Sequence, residues 1–273
     1  MPGLNGVVAV SSGGLHSLAV RGDGTVWGWG FNGFGQVGDG STSTRTAPVR
    51  AAVMEQSVAV SAGLYHSFAT GEAGGSMAWG FNGLGQLGNG NTIDQHRPVW
   101  VPFLPQNYSY YQLSAGGFHS LGVGVQAQFA ATGWNAFTQV NARGGDSAGF
   151  IQPVQFQLAH AVSAGWHHGL ILHTNGSVLS AGWNGQGQLG DGSVKARGWE
   201  AVPGLTGIRA VSAGGMHSLA VTDDGRLWVW GWNGYGQLGT GTTVEARTPS
   251  SANGLTSVAG VSAGWLHSAA VRG

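Results

Sequence analysis

The sequence predicts an all-β protein of stacked four-stranded sheets, a β-propeller, on three observations. A Gly-x-x-His step recurs at Gly13/His16, Gly63/His66, Gly116/His119, Gly165/His168, Gly214/His217 and Gly264/His267, with the histidines 49 to 53 residues apart. Repeats of that size fold as one small sheet each and bury their faces against neighbours. Glycine supplies 52 of 273 residues, yet 42% of the chain is hydrophobic and 12 residues are Trp. That is the composition of short strands and tight turns, not of a disordered linker. Asp-Gly or Asn-Gly also separates apolar runs, as at Asp23-Gly24, Asn175-Gly176 and Asp224-Gly225, which marks hairpins.

The first repeat shows how four strands are placed. Val7–Val10 is a short apolar run and His16–Val20 alternates. The turn Gly22-Asp23-Gly24 leads to Thr25–Gly30, and Asn32–Gln36 is a loop. Ala47-Pro48-Val49 is the last strand, with Pro48 requiring an outer edge where its missing N–H costs no ladder bond. The second, fourth and fifth repeats follow this plan. The third is degenerate: it keeps Gly133-Trp134-Asn135 and Gln139, replaces loop glycines with Ala136, Thr138 and Asn141, and shows no clear turn between Gly122 and Gln128. The sixth supplies two strands, over Ser262–Val271. We expect one domain over residues 1–273, with repeats at about 4–53, 54–106, 107–155, 156–204, 205–254 and a partial 255–273. This gives 22 strands in six blades, the last incomplete; the alternative is part of a seven-bladed ring. Open strand edges near Val7 and Val271 would be a pairing hazard, met either by the first strand lying beside the last half-blade or by a strand from a partner.

Composition narrows the function classes. Charged residues are 8% of the chain, the formal net charge is zero and Lys195 is its one lysine. The basic stripe of a nucleic-acid binder is missing, so no nucleic-acid partner is expected. With no cysteine, disulfides, thiolate metal sites and cysteine nucleophiles are excluded. No signal peptide or membrane-spanning apolar run is visible. The compartment stays undetermined, cytoplasmic by default with an extracellular surface as alternative.

The pattern Ala-Gly-x-x-His-Ser-Leu-Ala-Val, then Asp-Gly, then Trp-Gly-x-Asn-x-x-Gly-Gln-Leu-Gly resembles the regulator of chromosome condensation repeat family. It is carried by Ala213–Val221, Asp224-Gly225 and Trp230–Gly239, and it covers the whole chain in five copies and a partial sixth. The resemblance implies a β-propeller, usually of seven blades, among proteins that include a nucleotide exchange factor for a small GTPase, a plant ultraviolet-B photoreceptor, β-lactamase inhibitors and many bacterial proteins. Fold alone does not choose among such roles. The photoreceptor's arginine-rich Trp motif is not matched, because Asn follows the Trp in Gly-Trp-Asn.

The residues in every repeat read as structure. His16, His66, His119, His168, His217 and His267 could ring a channel and hold a metal or anion. Alternatively, each fixes the turn after Ala-Gly by a hydrogen bond, which is the expectation, with no metal. Gln36, Gln86, Gln139, Gln188 and Gln237, with the preceding Asn, are expected to satisfy loop amides and carbonyls. Trp27, Trp29, Trp79, Trp134, Trp183, Trp228, Trp230 and Trp232 are expected to pack between blades. The 11 carboxylates are scattered, and neither a catalytic triad order nor a phosphate-cradling Gly-rich motif with its Lys is present. We therefore expect no enzyme and no cofactor.

What breaks the repeat points to a partner. Arg97, Trp100, Phe103, Tyr108, Tyr110 and Tyr111 cluster in the longest connection, where repeat symmetry does not require them. Aromatic residues with Arg are frequent interface anchors. Lys195, Arg197 and Trp199 form a second candidate patch. The expected role is a non-catalytic scaffold, an accessory subunit docking on another protein or multi-subunit complex. A glycan-binding propeller is the alternative.

Overall fold

The computed structural model describes residues 4–53, 56–72, 74–102, 110–141, 144–152, 158–252 and 254–273. These contain no helix. They divide into two compact units, Met1–Trp134 with Gly145–Gln157 and Asn135–Gly144 with Leu158–Gly273.

The first unit holds three antiparallel sheets of four strands. They are β1 (Val7–Ser12) to β4 (Arg45–Arg50) by way of β2 (His16–Arg21) and β3 (Val26–Gly30); then β5 (Ser57–Ala62), β6 (His66–Gly71), β7 (Ser76–Gly80) and β8 (Gln95–Trp100); then β9 (Tyr110–Ala115), β10 (His119–Gly124), β11 (Phe129–Gly133) and β12 (Ser147–Ile151). The second unit holds β13 (Ala159–Ala164), β14 (His168–His173), β15 (Val178–Gly182) and β16 (Arg197–Ala201), followed by β17 (Ile208–Ala213), β18 (His217–Thr222), β19 (Leu227–Gly231) and β20 (Ala246–Ser251). The pair β21 (Val258–Ala263) and β22 (Ser268–Arg272) comes last. Strands follow chain order within each sheet, so the expected 22 strands in five full blades and one partial blade are present. Pro48 lies in β4, an edge strand, as its missing donor demands.

Hairpin turns are set by one left-handed residue. In the first sheet Arg21 N–H bonds Thr25 O at 3.0 Å around a three-residue loop, and Gly24 takes φ +77°. Asp23 Oδ1 accepts from the Thr25 amide at 3.0 Å and closes the loop from inside. The third repeat has this turn too, over Val125-Gln126-Ala127: Gly124 N–H reaches Gln128 O at 2.9 Å, and Ala127 adopts φ +63°. Its sequence hides the turn because an alanine occupies the glycine position.

The core is a series of layers between successive sheets. Leu18, Val20 and Val26 of the first sheet meet Ala69, Met77 and Trp79 of the second. Phe68 and Ala78 of the second meet Tyr110, Leu113 and Ala130 of the third. In the second unit, Leu170, Leu172 and Val178 pack on Ala220 and Trp230, and Leu219, Val229 and Leu238 pack toward Val258. The strands β6 and β10 are buried along their whole length because both faces of each sheet are covered. Each such Leu, Val or Phe contributes about 1.5–3 kcal/mol.

Candidate functional site

Four repeats place their histidine against a serine of the next sheet: the first, second, fourth and fifth. His16 Nε2 lies 2.8 Å from Ser67 Oγ, and Ser67 donates its hydroxyl to the Gln36 carbonyl at 2.8 Å. The serine proton being used there, the imidazole must donate from Nε2. His66, Ser120 and Gln86 repeat this chain at 2.8 and 2.8 Å, and His168, Ser218 and Gln188 at 3.0 and 2.9 Å. His217 lies 2.9 Å from Ser268 Oγ. Burial lowers the His16 and His217 imidazoles to about 4, with His267 adding to the effect on His217. Burial, with His16 and His119 nearby, lowers His66 to about 3. These rings are therefore neutral at physiological pH. His119 and His168 are fully buried, whereas His267 is exposed. Among the described residues, no group of three His, Cys, Asp or Glu side chains could hold a metal ion.

The glutamines brace the loop from inside. Gln36 Oε1 accepts from the Phe34 amide at 3.0 Å, while Asn32 Oδ1 accepts from Val37 at 2.9 Å. Gln86, Gln139, Gln188 and Gln237 take the amides of Leu84, Phe137, Gln186 and Tyr235 at 3.0 to 3.1 Å. This bracing fixes the direction of the side chains that the loop presents outward.

Those outward side chains form an aromatic row. In the first unit, Phe31, Phe34, Tyr65, Phe81, Phe118 and Trp134 make ring-to-ring contacts, with centroids 5.1 to 6.5 Å apart. They come from the turn before each repeat histidine and from the loop after the third strand. All are partly exposed, Phe31 at 37%. Gly33 lets the Phe31 ring fold back over the loop: a Cβ there would stand 2.5 Å from Phe31 Cζ. In the second unit Trp232 and Tyr235 hold the positions of Phe31 and Phe34, with centroids 5.1 Å apart, while Trp166, one residue ahead of the Tyr65 position, lies against His167 at 5.0 Å and Trp265 at 4.8 Å. Tyr235 is 72% exposed. Burial lowers His167 to about 4, so this stacked imidazole is neutral too. Contiguous, neutral, half-exposed rings on braced loops can exclude water from a partner surface without loop ordering.

The structure corrects the sequence expectation at several positions. Of the eight tryptophans assigned to packing between blades, Trp79 and Trp230 are fully buried, with indole N–H groups donated to the Gln36 and Gln188 carbonyls at 2.7 and 2.8 Å. Trp134, Trp183 and Trp232 are partly exposed, because the residue after the strand's last glycine leaves the sheet. Tyr110 is fully buried with its ring 4.9 Å from Phe150, so its ring belongs to the core and not to a docking surface. The Tyr110 phenol is raised by burial. Trp199 is buried as well. Arg197 donates to Asp191 at 2.9 Å and to Ser180 O at 3.1 Å, which ties it into its own sheet. Lys195 and Arg97 are exposed. Trp100 (57%) and Tyr111 (44%) are exposed on β8 and β9, which end their sheets. Phe103 and Tyr108 lie outside the described residues.

Sequence reasoning missed the aromatic row because it looked at what every repeat keeps and at what breaks the repeat. The signal was in between: positions that vary in identity within a fixed frame yet stay large, and are apolar in all repeats but the fourth, which has His167. Before the histidines stand Leu15, Tyr65, Phe118, His167, Met216 and Leu266, and after the third strands stand Phe31, Phe81, Trp134, Trp183 and Trp232.

The architecture matches solved structures. Human WBSCR16 superposes with a TM-score of 0.88 at 22% identity, over 98% of this chain and 72% of that one. Yeast RCC1 (Prp20), in its structure with Kap60, gives 0.83 at 22% identity over 97% of this chain and 68% of that one. Prp20p from Saccharomyces cerevisiae, in a structure reported with its binding properties to Gsp1p and histones, gives 0.61 at 20% identity over 97% and 82%. Likeness at this identity is one of fold, and the fold is the β-propeller. The RCC1-like domain model matches residues 1–270. With that match spanning nearly every residue, and with its histidines and Asn-x-x-x-Gln loops in register, the chain belongs to the RCC1-like domain family.

Proposed function

We propose that this chain is a non-catalytic propeller that docks another protein on its aromatic row, as an accessory subunit of a larger assembly. The observation that carries this reading is the run of six rings from Phe31 to Trp134, in contact with one another and partly exposed. Folding uses other residues for its core, so the row is not needed to bury the sheets. Aromatic residues are the commonest interface anchors, and a rigid support spares the ordering cost of binding. Charged residues at 8% of the chain favour a protein partner over nucleic acid. A protein with this fold, yeast RCC1 (Prp20), is seen bound to another protein, Kap60, which is in keeping with a protein partner here.

The glycan-binding alternative calls for one pocket repeated in each sheet. The ring positions differ from repeat to repeat, which favours an asymmetric protein surface. The exposed residues Arg97, Trp100 and Tyr111 of the first unit, and separately Lys195 of the second, stand as competing candidates for partner contact.

The test is affinity capture from the native source with wild type, Phe34→Ala/Phe81→Ala/Phe118→Ala, and Trp100→Ala/Tyr111→Ala. Thermal melts establish that each variant is folded. One protein held by wild type and by the Trp100/Tyr111 variant, and lost from the triple variant, is the expected result. Loss from the Trp100/Tyr111 variant alone would move the docking face. Retention by both would refute docking on either.

A further inference from the structure

Asn-Gly steps recur along the chain, and the fold treats them differently. An asparagine before glycine is open to loss of its side-chain amide, because the glycine carries no Cβ to keep its nitrogen away from the asparagine Cγ. Asn32, Asn82, Asn184 and Asn233 are 0% exposed. Each has both ends of its amide bonded inside its own loop: Asn184 Oδ1 accepts from the Leu189 amide at 2.9 Å, while Nδ2 donates to Ser193 O at 3.1 Å. Asn89 is half-buried, and the Gly90 N–H beside it is held on Ala148 O of the next sheet at 2.9 Å. Asn253 lies outside the described residues. Asn5 and Asn175 are exposed.

Asn175 stands out by what surrounds its amide oxygen. It lies in the turn between β14 and β15, which His173 N–H closes on Ser177 O at 2.9 Å. Ser177 donates its backbone N–H at 3.0 Å and its hydroxyl at 2.7 Å to Asn175 Oδ1. Two donors on one carbonyl oxygen draw electrons from Cγ and stand where negative charge forms if that carbon is attacked. The first repeat builds the same turn with an aspartate. Asp23 Oδ1 accepts from the Thr25 amide at 3.0 Å and from its hydroxyl at 2.6 Å, and Gly24 takes φ +77° against +76° for Gly176. This turn therefore holds a carboxylate as readily as an amide.

We propose that Asn175 deamidates spontaneously in the folded protein, with Ser177 as the activating group, and that the aspartate formed keeps the turn. Solvent hydroxide takes the Gly176 N–H proton. The nitrogen attacks Asn175 Cγ, and the charge falls on Oδ1 between the two Ser177 donors. The bond from Cγ to the side-chain nitrogen breaks, ammonia leaves with a proton from water, and a succinimide ring remains. Water then adds at one of the two ring carbonyls and opens the ring to aspartate or isoaspartate. The net change is gain of one water and loss of one ammonia. The Gly176 N–H must first leave the His173 carbonyl, 3.0 Å away, which asks only for local opening of an exposed turn. The product adds one negative charge to a chain whose formal net charge is zero. This site is independent of the aromatic row.

The test incubates the full chain at mildly alkaline pH and follows each Asn-Gly step by peptide mapping and mass spectrometry. Electron-transfer fragmentation separates aspartate from isoaspartate. We expect Asn175 to convert in the folded protein while Asn32, Asn82, Asn184 and Asn233 persist, and all of them to convert in urea. Ser177→Ala slows conversion at Asn175 several-fold and leaves the rate at Asn5, the internal reference, unchanged. Asn175→Asp melts as wild type does. Persistence of Asn175 alongside the buried steps, a rate at Asn175 unmoved or raised by Ser177→Ala, or a destabilised Asn175→Asp variant would each overturn the proposal.

Discussion

Acid will unfold this protein well above the carboxylate range, because its repeat histidines are folded neutral. His16, His66 and His217 are at most 3% exposed, and burial holds them at about 4, 3 and 4. In the unfolded chain a histidine titrates near 6.5. Below about pH 6.5 the unfolded chain therefore takes up protons that the folded chain refuses. Stability is full above that value and falls steadily as the pH drops toward the folded values. By about pH 5 the difference is roughly 1.5 pH units, or about 2 kcal/mol for each histidine. Three such groups unfolding together lose about 6 kcal/mol, comparable with the whole stability of a typical domain, about 5–15 kcal/mol. The assay is urea unfolding followed by circular dichroism from about pH 8 to about pH 5. His66→Gln is the matched control, since its amide can still donate to Ser120 Oγ but does not titrate. That variant should be less stable than wild type near pH 7 and should lose about 2 kcal/mol less on acidification. A level stability over this range, with loss only near the carboxylate pKa of about 4, would refute the reasoning. So would a variant whose pH profile ran parallel to wild type.

Two further outcomes test the repeat geometry. Ala127 and Thr138 hold φ +63° and +62° where the other repeats place glycine, so Ala127→Gly and Thr138→Gly should each raise stability by about 0.5–1 kcal/mol. A lower denaturation midpoint in both would show that those turns are not strained. Trp79→Phe removes the indole donor from the Gln36 carbonyl and should cost about 1–2 kcal/mol, with Trp230→Phe as its counterpart in the second unit. Unchanged urea midpoints in these variants would mean the bonds contribute nothing net.

Much of the fold was legible because a repeat states its rule several times. One Asp23-Gly24 would be a weak turn signal, but the recurrence of the histidine, the turn and the Asn-x-x-x-Gln loop pinned every four-stranded sheet. The third repeat was harder, since Ala127 and Thr138 adopt a conformation that their types do not advertise. Nothing local in a sequence says that an alanine will be forced left-handed by the strands on either side of it.

The site was less legible. Tyr110 and Tyr111 are neighbours in the chain and both stood out as aromatic residues beyond the repeat. Alternation along β9 then sends one ring into the core and the other toward solvent, at 0% and 44% exposure. Trp230 and Trp232 part for another reason: Trp230 is buried under the Gln188 loop, whereas Trp232 follows the last glycine of β19, leaves the sheet and stands beside Tyr235 on the surface. The sequence by itself determined the number of strands, the order of the sheets and the residues that brace each loop, because these depend on spacing and on local backbone chemistry. Only the tertiary structure decided which aromatic rings are core and which are surface. That choice depends on contacts between residues about 50 positions apart, such as Tyr65 with Phe118, and no local pattern encodes them.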